Sequence, residues 1–311
     1  MPSIGGVVCA TLVPNTPAEG VALPSHPRPT VRRRRLGSEL KRLREEAGVK
    51  MEAAAEEIGG DKSKISRQEN GRQRVTKLEI QALLDLYGVQ DQRLRTALTT
   101  LAREGRRKGW WAQYSVILPD GFQERLAIES DAARIHVFQP LLVPGLLQTL
   151  EYATESIRAV EKNAGEEQIE SYVSVRMSRQ EILRRDSAPQ YVCILDEAVL
   201  RREIGGPETM ASQLEKLIEV NSPPELTIQV IPFGHGWHAG LDGAFSLYSY
   251  PDPMDLDVVN LDYLDGALYL EEDGPVERYK LAFDDLRASA LPSRRSMELI
   301  SQVARDFKQR T

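Results

Sequence analysis

The stretch VKMEAAAEEIGGDKSKISRQENG, from Val49 to Gly71, limits what this chain can fold into more than any other. Ala54, Ala55 and Ile58 recur at helical spacing, and the Gly59-Gly60 pair behind them can take turn conformations that a side chain forbids. Asp61 stands where an N-cap belongs, ahead of a second helix whose inward residue is Ile65. The pattern predicts two short helices crossing at a tight bend. Ala55 is small enough to let them approach, a glycine makes the bend, and Ile65 pins the second helix. The outward face of that helix then carries Lys62, Ser63, Lys64, Ser66 and Arg67. These side chains donate hydrogen bonds of the kind that phosphates and base edges accept.

The flanks extend the pattern into a small helical head. Leu36, Leu40, Leu43 and Ala47 step along one helix face that Gly48 ends. Beyond Asn70-Gly71 and a loop with Arg72 and Arg74, Thr76 caps a fourth helix expected to turn Leu78, Leu83, Leu84 and Leu86 inward. Gly88 closes it, and a fifth helix carries Leu94, Leu98 and Leu101. Residues 32–104 are thus expected to form an all-α unit of five helices. Residues 1–31 hold six prolines with little periodicity and are expected to be a disordered tail, with translation starting further in as an alternative. Arg32 to Arg35 are either an arm reaching phosphates or a minor groove, or a solvated charge run. Residues 105–120, opening on the charged, glycine-containing run EGRRKGWW (104–111), are expected to be a hinge. Trp110 and Trp111 either begin a second core or offer rings for base stacking.

Charge supports this division. The net −6 of the 311 residues conceals an asymmetry: residues 32–108 hold 20 Lys/Arg against 12 Asp/Glu, residues 109–311 hold 19 against 33. A basic module fused to an acidic one suits a nucleic-acid-binding head with a body of another purpose. Cys9 and Cys193 make no disulfide framework, which is consistent with a reducing, cytoplasmic setting. No apolar run approaches the roughly 18 residues of a membrane helix, and the amino-terminal segment lacks the basic start of a secretory signal.

Past the hinge, residues 121–311 read as a mixed α/β body. Strands are expected at 135–138, 191–195 and 226–231, followed by antiparallel strands at 244–250, 258–261 and 267–270 between Pro, Asp and Gly turns. Helices are expected at 122–133, around Tyr152, and at 166–185, 197–202, 208–220, 276–289 and 294–308. The fold class is therefore α+β, an all-α head followed by a mixed body.

The run Ile65-Ser66-Arg67-Gln68-Glu69-Asn70-Gly71 resembles the ISR-x-E-x-G ending of the second motif helix in the Cro/C1-type (XRE) family of helix-turn-helix regulators. Two positions depart from that family. Met51 stands where a backbone-contacting Gln is common, and Gln68 where an aliphatic is usual. In the body, VPGLLQTLEYA (143–153), VRMSRQEIL (175–183), ILDEAVLRREIGG (194–206) and IQVIPFGHGWHAGLDGAFSL (228–247) resemble an uncharacterised domain found behind such heads, in proteins some of which are described as antitoxin-like. The resemblance implies transcriptional regulation through double-stranded DNA by a homodimer, with half-sites about 34 Å apart. It also implies which side chains touch DNA. Lys62, Ser63, Lys64 and Arg67 would lie nearest the bases, Ser66 nearer the backbone, and Lys50, Arg72 and Arg74 on phosphates. A small partner protein or small-molecule effector for the body is the further expectation.

Catalytic chemistry finds little support. His235 and His238 have zinc-compatible spacing, yet no third ligand accompanies them. Asp196-Glu197 could act as an acid/base pair, but Asp196 is more simply an N-cap. Neither a Gly-x-Ser-x-Gly nor a phosphate-cradling Gly-x-x-x-x-Gly-Lys motif occurs. No enzyme, cofactor or metal is expected. The Pro144-Gly145-Leu146-Leu147-Gln148 run either breaks the chain and buries its leucines, or shapes a groove for a partner or ligand.

Overall fold

The computed structural model describes residues 31–104, 120–250, 257–263 and 266–310. The expected tail up to residue 30, the hinge at 105–119 and the Trp110-Trp111 pair lie outside these residues.

The head is built of α1 (Val31–Glu46), α2 (Met51–Glu57), α3 (Lys62–Glu69), α4 (Lys77–Leu86) and α5 (Gln92–Glu104). Leu36, Leu40, Leu43, Ala54, Ile65 and Leu98 meet in its core, with Met51 packed against the edge. Met51 thus contributes apolar surface to the head. The bend after α2 has Gly59 at φ +59°, the left-handed region glycine enters without penalty. Leu78 departs from expectation and is 79% exposed. Thr76 starts α4 so that Ile80, Leu83 and Leu84 form the inward stripe, and at 100° per residue Leu78 falls on the opposite side.

A feature with no periodicity signal governs how α1 meets α3. A methyl group on Gly37 would lie 2.4 Å from the carbonyl oxygens of both Gln68 and Glu69, so the helices touch backbone to backbone. Gly37→Ala gains helix propensity of about 1 kcal/mol at most but overpacks the crossing, at about 1–3 kcal/mol or more. We expect a net loss of head stability, read as a lower urea midpoint for the full chain; an unchanged or raised midpoint would contradict the close crossing.

The body is a six-stranded sheet in the order β3-β2-β1-β4-β5-β6. Its strands are β1 (Arg134–Gln139), β2 (Gln190–Asp196), β3 (Leu226–Ile231), β4 (Phe245–Ser249), β5 (Val258–Tyr263) and β6 (Gly266–Leu270). The first three pair in parallel, with Ile135 opposite Tyr191 and Cys193 opposite Ile228. The rest are antiparallel, as the turn-rich sequence predicts, and β4 inserts beside β1. Helices α6 (Asp120–Asp131), α7 (Leu150–Val160), α8 (Glu166–Arg179), α9 (Glu197–Arg201) and α10 (Gly206–Val220) precede β4, and α11 (Asp273–Ser289) and α12 (Ser293–Lys308) end the chain. The helix expected at 166–185 stops at Arg179 and tightens into a 3₁₀ turn, Gln180–Leu183.

Both faces of the sheet are covered. Ile135, Val137, Cys193 and Ile228 pack with Tyr152, Leu214, Leu217 and Ile300, while Phe138, Val192, Ile194 and Phe245 meet Val276, Phe283 and Leu286 of α11. Double-sided burial explains why β2 reads as a continuous apolar run. The outer edge of β3 is closed: the Asn221 side chain accepts from the Ile228 amide at 2.9 Å, Ser296 Oγ accepts from Val230 at 3.0 Å, and the Leu291 amide donates to the Val230 carbonyl at 2.9 Å. Such blocking keeps an edge from pairing with another chain.

Under α6 lies a layer of buried charge. Glu129 grips Arg179 through two hydrogen bonds of 3.0 and 2.7 Å, and Arg125 meets Asp262 at 2.6 Å. Among the described residues Arg176 donates to the neutral Gln148 Oε1 (3.0 Å) and Ser156 Oγ (3.1 Å). Burial, then the nearby Arg179 and Arg125 charges, lower its pKa to about 10.

Candidate nucleic-acid interface

The exposed helix of the head is α3, and each of its ends is fastened. Asp61 Oδ1 accepts from the Lys64 amide at 2.6 Å, completing the N-cap expected there. At the other end Asn70 Nδ2 donates to the Ser66 carbonyl at 2.7 Å, and Gly71 turns at φ +68° where a methyl group would lie 2.7 Å from the backbone of Arg34 in α1. Beneath it Arg44 and Glu69 form a buried pair, Nε to Oε1 at 2.6 Å and Nη2 to Oε2 at 3.1 Å. Helix α3 is therefore held rigidly while one face looks outward.

That face brings the expected residues together, in unequal states. Lys62, Ser63 and Arg67 are exposed, and Lys64 and Ser66 are half-buried. Lys62 pairs across the bend with Glu52 at 2.7 Å, an exposed contact worth little in water. Arg67 donates from Nε to Gln73 Oε1 at 2.9 Å, which steadies its stem and aims the planar fork outward; Asp61 lies 3.9 Å from the fork. Lys64 is engaged elsewhere, its ammonium 2.7 Å from Glu79. The same Glu79 closes the capping box of α4, accepting from the Thr76 amide at 2.7 Å and from Gln68 Nε2 at 3.3 Å. Gln68 is thereby buried as a polar strut between α3 and α4. Its departure from the usual aliphatic has a structural use.

Lys50, Arg72 and Arg74 are exposed around α3 and make no ion pair among the described residues. Arg33 lies close enough to Arg74 that, after burial, its neighbour's charge depresses its pKa. Within the arginine run, Arg34 turns away from this surface and holds two carboxylates of the body, Glu124 of α6 at 2.8 Å and Glu271 after β6 at 2.6 Å. Reading the sequence alone missed Gln73, Glu79 and Glu271 as partners of the basic side chains. Glu79, three residues after Thr76, carried a capping-box signal; Gln73 and Glu271 carried none.

The other candidate centre in the body separates on inspection. Asp196 Oδ1 accepts from the Ala198 amide at 2.8 Å and caps α9, as its position predicts. His238 is buried, with Nε2 3.3 Å from Asp196 Oδ2 and Nδ1 accepting from the Gly240 amide, whereas His235 is exposed. No group of three or more His, Cys, Asp or Glu side chains among the described residues is placed to hold a metal ion. None of the described helices is long and apolar enough to cross a membrane.

Comparison with known proteins agrees with this division of the chain. A family model described as a helix-turn-helix domain matches residues 35–98, and one described as a domain of unknown function (DUF5753) matches residues 122–302. No curated protein and no solved structure matches. The head is thus a helix-turn-helix domain, a module that binds DNA.

Proposed function

The chain belongs to the DUF5753 family, here with a helix-turn-helix head, and from that premise we propose that it is a cytoplasmic, sequence-specific transcriptional regulator of the Cro/C1 type acting as a homodimer. The observation that carries this is the surface of α3: Ser63 and Arg67 project from a helix fastened at both ends, and the exposed Lys50, Arg72 and Arg74 flank it. Helix α3 enters the major groove, with Lys62, Ser63 and Arg67 nearest the bases. Lys64 joins them only by leaving Glu79. Ser66, Lys50, Arg72 and Arg74 lie toward phosphates. Regulation rather than catalysis fits a body whose Asp196 serves as a cap.

Base and phosphate contacts predict opposite variants. Arg67→Ala should cost about 1–3 kcal/mol on the cognate site and relax preference at one base pair. Arg72→Ala should weaken all duplexes alike and flatten the salt dependence. A gel-shift salt titration on cognate and random DNA separates the two; wild-type behaviour of both variants removes the contact assignment.

A second reading, an antitoxin-like protein whose body captures a small partner protein while the head autoregulates, is supported by the loop between β3 and β4. There Phe233, Trp237 and Leu241 are 56%, 84% and 70% exposed. The loop is nonetheless anchored, because Glu197 accepts from the Phe233 amide at 2.8 Å and His238 is held at Asp196. Rigidly displayed aromatics are typical anchors of protein interfaces. The test is co-expression with the product of any short reading frame beside the gene. Co-purification that Trp237→Ser abolishes supports the second reading; its failure leaves DNA binding untouched.

A further inference from the structure

We propose that the cleft between the 3₁₀ turns Gly145–Leu147 and Gln180–Leu183, the start of β2 and the end of α10 binds a small anionic amphiphile, an apolar molecule ending in a carboxylate or phosphate. The proposal rests on the body being the sensing half of a regulator and names the class of effector it senses. The cleft encloses about 630 Å³, within the range of small-molecule sites. Its floor is apolar, made by Leu146, Leu147, Leu183, Tyr191, Val220 and Leu226.

Charge distinguishes this cleft from the surface around it. The body as a whole is strongly acidic, yet the cleft is lined by three cations, Arg184 (itself paired with Glu181 at 3.0 Å), Arg185 and Lys216, against two anions, Asp186 and Glu225. Lys216 is the telling group. Its half-buried ammonium donates to two neutral oxygens, the Gln148 carbonyl at 2.7 Å and Gln180 Oε1 at 2.9 Å, and no carboxylate lies within ion-pair distance among the described residues. Burial, and then the charge of Arg184, disfavour its protonated form and outweigh the carboxylates of Glu219 and Glu151. An arriving anion would supply a direct ion-pair partner, in a place where water screens poorly.

The walls are preorganised. Gln180 Nε2 donates to the carbonyls of Gly145 (3.1 Å) and Gln148 (2.8 Å), and Gln213 Nε2 to that of Leu147 (2.8 Å), while Gln213 Oε1 accepts from the Thr149 amide at 2.7 Å. The turn that presents Leu146 and Leu147 is therefore held from two helices, α8's continuation and α10, and a ligand need not order it. Of the two readings of Pro144 to Gln148, burial of the leucines and the shaping of a groove turn out compatible: both leucines are buried from water and still border the cleft.

The test uses the full chain and four probes: decanoate, decyl phosphate, decanol and acetate. Saturable calorimetric binding and a raised melting midpoint are expected with decanoate or decyl phosphate, the two arms reporting which head is preferred. Decanol and acetate, lacking the head or the tail, should each bind at least about ten-fold more weakly. Lys216→Gln should weaken the anionic probes by about ten-fold, the worth of a charge-assisted contact. Val220→Asp, which places a carboxylate on the wall without touching the turn, should do the same if Lys216→Gln fails to fold. Equal binding of decanol, undiminished binding by a folded variant, or no saturable binding of either anionic probe overturns the proposal. Promoter affinity of the unliganded protein is measured in parallel, so loss of ligand binding with intact DNA binding removes the effector site alone.

Discussion

Glu69→Ala should destabilise the head by about 3–5 kcal/mol and abolish sequence-specific DNA binding. Glu69 ends α3 and is buried with both oxygens on Arg44 of α1, and the side chains are 4% and 7% exposed. Removing the carboxylate leaves a guanidinium in a low-dielectric pocket whose remaining acceptors are the Val49 carbonyl and the exposed Glu45. An unpaired buried charge costs more than the pair contributes, which is why one-sided removal is severe. The double variant Arg44→Met/Glu69→Leu removes both charges at similar volume and should recover most of the stability. Denaturant unfolding with a parallel gel shift checks both statements. A stable, DNA-binding Glu69→Ala protein would mean that α3 is positioned by the apolar core and Gly37 alone.

The body should respond as strongly to Glu129→Ala, again by about 3–5 kcal/mol. Here the electrostatic reason is sharper, because Glu129 holds Arg179 through two hydrogen bonds while the charges of Arg179 and Arg125 already bear on the neighbouring Arg176. Arg125 has Asp262, whereas Arg176 has only neutral acceptors. Without Glu129, Arg179 loses its only ion pair among the described residues, and its charge bears uncompensated on Arg176, which Asp262 offsets only in part. Glu129→Leu/Arg179→Met should again be far milder, and restoring stability by that second change is the signature of a charge effect rather than of lost packing. The two pairs lie in separate units, so the Glu69 and Glu129 costs should add in the combined variant. The measurement is the unfolding of the full chain followed by circular dichroism; a Glu129→Ala midpoint within error of wild type would remove the pair from the stability of the body.

Most of the local structure was legible because it follows from neighbours in sequence. Asp61, Thr76 and Asp196 cap helices as their positions announce, and Gly48, Gly59 and Gly88 turn where a left-handed backbone is required. Every expected strand is present, since β-branched runs between Pro, Asp and Gly turns have few other places to go. The exceptions have equally local causes. Leu78 is apolar but out of phase with Ile80, Leu83 and Leu84, and a propensity pattern extended α8 through the tighter turn at Gln180.

The candidate DNA surface was legible as a set of residues but not as a set of states. Amino-acid type and helical phase place Lys62, Ser63, Lys64, Ser66 and Arg67 on one face. They say nothing about Lys64 being drawn to Glu79 or about Arg34 holding Glu124 and Glu271 across some 90 and 240 residues of chain. Ion pairs between distant segments have no periodicity to betray them, and a lysine looks the same in sequence whether its charge is matched or not.

By itself, then, the amino-acid order determined which elements form, the helix-turn-helix head and the partition into a basic and an acidic half, because each depends on short-range backbone sterics, hydrophobic phase and summed charge. Only the tertiary structure decided that three strands run parallel with β4 inserted beside β1, that α1 and α3 touch at Gly37, and that Lys216 borders a cleft while donating to neutral oxygens. Those outcomes depend on which distant surfaces exclude water together, and nothing confined to a short window of residues carries that information.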